Sequence, residues 1–174
     1  MSSRLSPQSS RRRKWRGKGR ELELVKLLES RGWRARRFAM SGQGRLQPDC
    51  EALSSDTIVV FECKSSQTGT APVRRLQIEK LNQALDYYSP LKARGVKLEA
   101  IVAAKFPYRD WVFRKLSPRD LEENRETIAA KVGELNEGLR SGSIQESLFK
   151  QRVGSVYQET FLRIKPQDPS NWQP

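Results

Sequence analysis

Apolar residues return along this chain in two rhythms, and the change from one to the other marks the elements. Over residues 20–31, Leu22, Leu24, Val25, Leu27 and Leu28 recur at helical spacing, and Gly32 provides a C-terminal stop. Residues 33–38 then read as a strand. Residues 48–53 and 57–64 read as two more, joined into a hairpin by the turn formers Ser54, Ser55 and Asp56. Residues 76–88 return to helical spacing, 98–106 form a mostly apolar strand, and 111–116 a last one. The order αβββαββ predicts an α/β core. Beyond Leu116, Ser117 and Pro118 suit an N-cap and a first helical position. A helix is expected from Leu121 to about Leu139, broken at Gly142, and a second over residues 144–164. No internal repeat is present.

This pattern divides the chain into a flexible basic arm (1–17), a core (18–116), a C-terminal helical extension (117–165) and a loosely held tail (166–174). The arm combines Ser, Pro and Gln with a run of cations and almost nothing apolar, so burial cannot offset its ordering entropy.

Charge narrows the partners. The chain has 174 residues and a formal net charge of +13, with an isoelectric point near 10.2. It therefore attracts polyanions from a distance, nucleic acid first among them. Arg11, Arg12, Arg13, Lys14, Arg16 and Lys18 are candidate phosphate contacts, and Trp15 among them is available to stack on an unpaired base. No apolar run approaches the roughly 18 residues a membrane span needs, and the basic start lacks the apolar segment of a secretory signal. A cytoplasmic protein with no membrane partner is expected. Histidine is absent and Cys50 and Cys63 are the only cysteines. Histidine-based hydrolases and zinc sites are thereby excluded, and chemistry falls to carboxylates, lysine and a hard metal. No small-molecule cofactor is implied.

The informative segment is Pro48-Asp49, followed thirteen residues later by Glu62-Cys63-Lys64. Alternate side chains of a strand share a face, so Glu62 and Lys64 point one way, and Asp49 on the neighbouring hairpin strand would join them. Two carboxylates and an ammonium in one place suit phosphodiester cleavage: Asp49 and Glu62 would hold Mg²⁺, while Lys64 orients or deprotonates water. The plainer alternative is a turn aspartate and a surface ion pair. Glu21 adds weight, because Val25 and Leu28 follow four and seven residues on, which sets this carboxylate on the apolar stripe. Glu23 is rotated by roughly 200° toward solvent. An N-terminal glutamate favoured by the helix dipole would look the same. Gln77 similarly lies at the edge of a buried helical face, and the loop Ser41-Gly42-Gln43-Gly44-Arg45 offers glycines, a hydroxyl and a cation for close approach to a phosphate.

Lys18-Gly19 with Glu21-Leu22-Glu23-Leu24-Val25, then Arg31-Gly32-Trp33, Arg37, Ser41-Gly42, Pro48-Asp49, Phe61-Glu62-Cys63-Lys64-Ser65, Gln77 and Trp111-Val112-Phe113 resemble the archaeal-type Holliday junction resolvases over residues 17–116. The resemblance implies a restriction-endonuclease-like PD-(D/E)xK core, with a central mixed β-sheet flanked by helices. It also implies a homodimer, Mg²⁺ dependence with Mn²⁺ as a substitute, and paired symmetric nicks in branched, four-way DNA. Glu21, Asp49, Glu62 and Lys64 would be the catalytic set, with Ser41 and Gln77 assisting. Glu21, Asp49, Glu62 and the backbone carbonyl of Cys63 would be the metal ligands, and Arg37 and Arg45 further DNA contacts. The spacing from Lys18-Gly19 to Glu21 is compressed relative to the family, the loop after Ser65 is atypical, and residues beyond Leu116 lie outside the resemblance. Another PD-(D/E)xK nuclease, restriction-type or exonuclease-like, would share the four catalytic residues. A non-enzymatic DNA-binding protein would have no use for an inward Glu21. Tyr87, Tyr88, Trp111 and Phe113 are candidate dimer-interface residues, with internal packing as their alternative role.

Deleting residues 2–14 is expected to weaken DNA binding. The slope of log affinity against log salt should fall by up to about 0.9 per lost duplex phosphate contact. Binding titrations over a range of salt check this, and an unchanged slope would show that the arm does not touch DNA.

Overall fold

The computed structural model describes residues 7–38 and 47–174. Helix α1 (Pro7–Ser30) is followed by β1 (Arg34–Arg37), β2 (Cys50–Leu53), β3 (Thr57–Ser65), β4 (Ala71–Arg74) and α2 (Arg75–Tyr88). A 3₁₀ turn (Ser89–Arg94), β5 (Lys97–Lys105), β6 (Trp111–Lys115), α3 (Pro118–Arg140), α4 (Glu146–Gln158) and β7 (Thr160–Ile164) complete the chain. Five strands form a mixed sheet in the order β1-β2-β3-β5-β6, antiparallel except for the central β3–β5 pair. The expected α/β core with a mixed sheet between helices is present.

Burial on both faces explains why β3 and β5 read as continuous apolar runs rather than as alternating strands. On one face Val59, Phe61, Ile101 and Ala103 pack under Leu24 and Leu28 of α1. On the other, Val60, Ala100, Val102 and Ala104 pack under Ile78 and Leu81 of α2. Odd and even positions of β3 therefore belong to different halves of the core. That parity decides where Glu62 and Lys64 go.

The structure corrects three sequence expectations. The first concerns the start of α1, expected near Arg20 after a flexible arm; the helix instead runs unbroken from Pro7. Proline is tolerated in a first turn, where its missing N–H would be unbonded anyway, and the Arg, Lys and Gln that follow are good helix formers. The boundary placed at residue 17 reflected a lack of apolar residues, which limits burial but does not stop a helix.

The second correction concerns the extension. It is not purely helical: α4 stops at Gln158, and residues 160–164 form β7, antiparallel to β4, a strand that the sequence pattern did not suggest. The run Thr160-Phe161-Leu162 favours a strand once β4 offers an edge to pair with. The extension also reaches the core. Ile164 is buried in the α2-side core, with Phe161, Leu162 and Leu121 packed against it. Glu159 binds Arg75 and Lys131, at 3.1 and 2.7 Å, while Asn124 Nδ2 donates to the Arg75 carbonyl. The extension thus fixes the first turn of α2. The capping expected at Ser117 is present: its Oγ accepts the Asp120 N–H, and Asp120 answers from its side chain to the Ser117 N–H.

Third, the tail is not loose. The Phe113 N–H donates to Ser170 Oγ, Asn171 bonds Lys115, and the Trp172 ring meets Trp33, Phe61 and Phe113 at centroid distances of 5.3 to 5.8 Å. Its indole N–H donates to Glu99 at 2.8 Å. Trp111 and Phe113 are buried in this same cluster, so internal packing is their role within the chain. Tyr88 is occupied by Glu51, and Tyr87 stands exposed. Among the described residues no helix is long and apolar enough to cross a membrane.

Trp172→Ala should lower stability by about 2 kcal/mol or more, since it removes a ring from an aromatic cluster and takes the indole donor from Glu99 Oε2, leaving Lys115 on the other oxygen. Urea denaturation checks this; a loss below about 0.5 kcal/mol, the range of ordinary surface substitutions, would mean that the tail is not a structural element.

Candidate active site

Parity puts Glu62 and Lys64 on the α2 face of β3, across from Val102 and Ala104 of β5. The hairpin register ends with Cys50 opposite Phe61, and the Asp49 N–H, just beyond it, also donates to the Phe61 carbonyl at 2.9 Å. Asp49 is thereby set near enough to Glu62 for its charge to act on that carboxyl. Its carboxylate accepts the Cys63 N–H at 2.8 Å, replacing the carbonyl that a longer β2 would have offered. Asp49 is held by backbone on both sides.

Glu62 is 3% exposed. Its Oε1 accepts from Lys64 Nζ at 2.9 Å, while Oε2 is buried with no hydrogen-bond partner. Burial, reinforced by the neighbouring Asp49 charge, pushes its carboxyl up to about 7; Lys64 and, more weakly, Lys80 of α2 act in the opposite direction. A sealed carboxylate with a bare oxygen is destabilising unless a proton or a cation meets it. The donor set, two hard carboxylates with one oxygen unsatisfied, fits a hard divalent cation of the Mg²⁺ kind, which needs only one or two protein carboxylates beside water and phosphate oxygens.

Glu21 comes from the other side of the sheet. Its side chain is 16% exposed against 39% for Glu23, in keeping with the helical-face argument. Arg37 Nη1 donates to Glu21 Oε2 at 3.0 Å. Burial raises the Glu21 carboxyl above its ordinary range, Arg37 opposes this, and the charge of Asp49 raises it further, so Glu21 and Asp49 share one field. Among the described residues no three His, Cys, Asp or Glu side chains converge to hold an ion. Asp49 and Glu62 are the pair brought together, and Glu21 is tied to Arg37 beside them.

Several candidates fall elsewhere. Ser41 and Arg45 lie outside the described residues. Gln77 Oε1 accepts the Arg74 N–H at 2.9 Å and closes the start of α2. Cys50 and Cys63 back the site on the α1 side, their sulfurs 3.8 Å apart, and the Cys50 thiol donates to the Glu21 carbonyl. Both are free thiols, as expected. The backbone bearing Arg11, Arg12, Arg13, Lys14 and Arg16 is helical, and Lys18 is exposed on the same helix.

Sequence reasoning missed Lys80, three residues after Gln77 and so on the same side of α2, a spacing that would have found it. It also missed Glu51, two residues after Asp49 and therefore on the same strand face. Glu51 is buried and held by Arg36 and by the Tyr88 hydroxyl. Burial, with Glu51 as acceptor, drives the Tyr88 phenol up to about 12.

Residues 12–147 match the family model for the archaeal Holliday junction resolvase (hjc). The chain belongs to this resolvase family. The match passes Leu116 and takes in α3, so the family's extent exceeds the 17–116 read from motifs alone. Among relatives, the crossover junction endodeoxyribonuclease Hje of Saccharolobus solfataricus is 34% identical over 114 residues, which is 64% of this chain and 78% of that protein. A crossover junction endodeoxyribonuclease of Sulfolobus islandicus rod-shaped virus 1 is 39% identical over 66 residues, 37% of this chain and 54% of the viral one. The solved structure of Hjc, a Holliday junction resolvase from Archaeoglobus fulgidus, aligns with a TM-score of 0.48 and 25% identity, covering 57% of this chain and 72% of that one. In this chain Pro48-Asp49 lies just before β2 and Glu62-Cys63-Lys64 lies within β3.

In chelator, the native state keeps a proton on Glu62 up to about pH 7, whereas the unfolded glutamate releases it near 4.5. The stability this lends is complete below about pH 4.5 and is lost as pH rises through 7. Glu62→Gln cannot titrate. Relative to wild type the variant should therefore gain up to roughly 3 kcal/mol between pH 4 and 8. Urea midpoints at both pH values check this, and a constant difference between the proteins would refute the raised carboxyl.

Proposed function

We propose that this chain is a Mg²⁺-dependent endonuclease that resolves four-way DNA junctions by paired nicks, acting as a homodimer. The observation that carries this reading is the buried, unpartnered Oε2 of Glu62 beside Asp49, with Lys64 on the other oxygen. Asp49 and Glu62 would hold the cation, joined by the Cys63 carbonyl, which lies on the same edge of β3 as the N–H that bonds Asp49. A cation held there would offset charge on the scissile phosphate and lower the pKa of bound water. Mn²⁺ would serve in its place.

The chain's own groups divide the remaining work. Lys64 Nζ, 16% exposed on its side chain and 2.9 Å from Glu62, is placed to orient the attacking water or receive its proton. The Cys63 N–H fixes the Asp49 carboxylate. Arg37 holds Glu21 at the rim, where the latter contributes negative field rather than a first contact. The basic surface supplies affinity through phosphate contacts that do not depend on chemistry. Among the described residues there is one such cluster, while a nearly two-fold junction must be cut on opposing strands, so an isologous dimer would supply the second site.

Glu62→Ala, Asp49→Ala and Lys64→Ala should each abolish cutting of a synthetic four-way junction while leaving its binding in place. Glu21→Gln should lose most activity and Glu23→Gln retain it. Mixed dimers with one Glu62→Ala subunit should give single nicks. Gel assays with and without Mg²⁺ check these outcomes: nicking by the Glu62→Ala homodimer would sink the site, and equal cutting of linear duplex would favour a restriction-type or exonuclease-like nuclease.

A further inference from the structure

Tyr108 is the one described residue other than glycine with a left-handed backbone, at φ 56°. It sits in the five-residue turn between β5 and β6, where a glycine would take that conformation without strain. Its ring is 107% exposed, so no packing inside the chain accounts for an aromatic side chain there. Strain of this kind persists at positions that serve a ligand.

The surroundings identify the ligand class. Ser65 is paired with Lys105 in the parallel β3–β5 register, so Tyr108, three residues past Lys105, leaves the sheet at the end that carries Lys64. A groove of about 790 Å³ opens there, lined by Arg20, Ser65, Ser66, Thr68, Lys105 and Tyr108. Its walls present two cations and three hydroxyls, and its lip is the exposed ring. Hydroxyls and cations suit phosphate oxygens, while a free aromatic face suits a nucleobase. Arg20 and Lys105 both reach Glu23, at 2.5 and 3.5 Å. These are part-exposed pairs, which a phosphate can replace at little loss.

We propose that Tyr108 stacks on a nucleobase unstacked at the branch point of the DNA, while Arg20 and Lys105 hold the adjoining phosphates in the groove. Tyr108 is then a specificity residue: continuous duplex offers no free base face, whereas a branch point does. The proposal rests on the junction-nuclease reading for its substrate. The contact needs the ring and not the hydroxyl.

The test uses a four-way junction, a single-strand/duplex fork and a linear duplex, each with 2-aminopurine at the branch, fork or central position, bound in Ca²⁺ or chelator so that no cutting intervenes. Wild type and Tyr108→Phe should raise the fluorescence of the branch probe. Tyr108→Ala and Tyr108→Gly should lose that rise and bind the junction about 10-fold more weakly, with duplex affinity unchanged. Tyr108→Gly should be no less heat-stable than wild type, because glycine accepts the φ of 56°, and this separates stacking from a folding defect. An alanine variant with wild-type branch fluorescence and affinity would overturn the proposal, as would a phenylalanine variant that behaves like alanine. If wild type prefers neither junction nor fork over duplex, the junction reading itself falls. If it prefers only the fork, that reading falls alone, and the same Tyr108→Ala comparison on the fork decides the stacking contact.

Discussion

Glu62 must be carried in the sheet's interior with one oxygen unsatisfied, and much of the architecture around it follows from that constraint. A carboxylate at 3% exposure is tolerated only where its surroundings are rigid, because relaxation would either admit water or turn the side chain out. The rigidity comes from β3 lying between two strands, antiparallel β2 and parallel β5, with a helix packed on each face. Lys64 and Asp49 are both fixed relative to this one side chain, the first by parity along β3 and the second by hairpin register and the Cys63 N–H.

The C-terminal segments belong to the same scheme. α2 covers the face on which Glu62 and Lys64 lie and brings Lys80 toward them. Its N-terminal residue, Arg75, is gripped by Glu159 and Asn124 from the extension, and β7 gives the preceding β4 a partner. On the opposite face, Trp172 closes the α1-side core over Phe61, the residue between β3's two halves of the site register. Both additions stabilise the sheet from outside without contributing a ligand.

The core was legible in the sequence because its signals are local. Alternation on β3, the stripe of α1 and the Ser117-Pro118 cap depend on neighbours within a few residues, and Asp49, Glu62 and Lys64 followed from strand parity plus one hairpin. What escaped depended on distant partners. β4 is four residues containing Pro72, and it is a strand only because β7 lies beside it, eighty-odd residues later in the chain. Trp172 has no periodic context, and its role is set by Trp33 and Phe113. Glu51 escaped for a similar reason: alternation put it on the site face, but only Arg36 and Tyr88 explain its burial. The continuity of α1 through residue 17 escaped because burial was used as the criterion where helix propensity decided.

The chain carries +13 overall, yet the centre proposed for the reaction is built on two acids, Asp49 and Glu62. The two are compatible because they act at different ranges. Screened cations draw a polyanion to the surface over roughly a Debye length, about 8 to 10 Å, whereas the carboxylates act at contact distance in a low-dielectric pocket. Bare phosphate brought against Asp49 and Glu62 would be repelled. In the proposed function a divalent cation would link affinity to chemistry, since it would reverse the sign of the centre at the place where DNA arrives. The proposed groove would extend the same logic to the rim, because Glu23 holds Arg20 and Lys105 in pairs of little net worth that an anion would displace. Cations held this way would be preorganised near the groove and yet exchangeable, so that DNA would be gripped there without being held too tightly to leave.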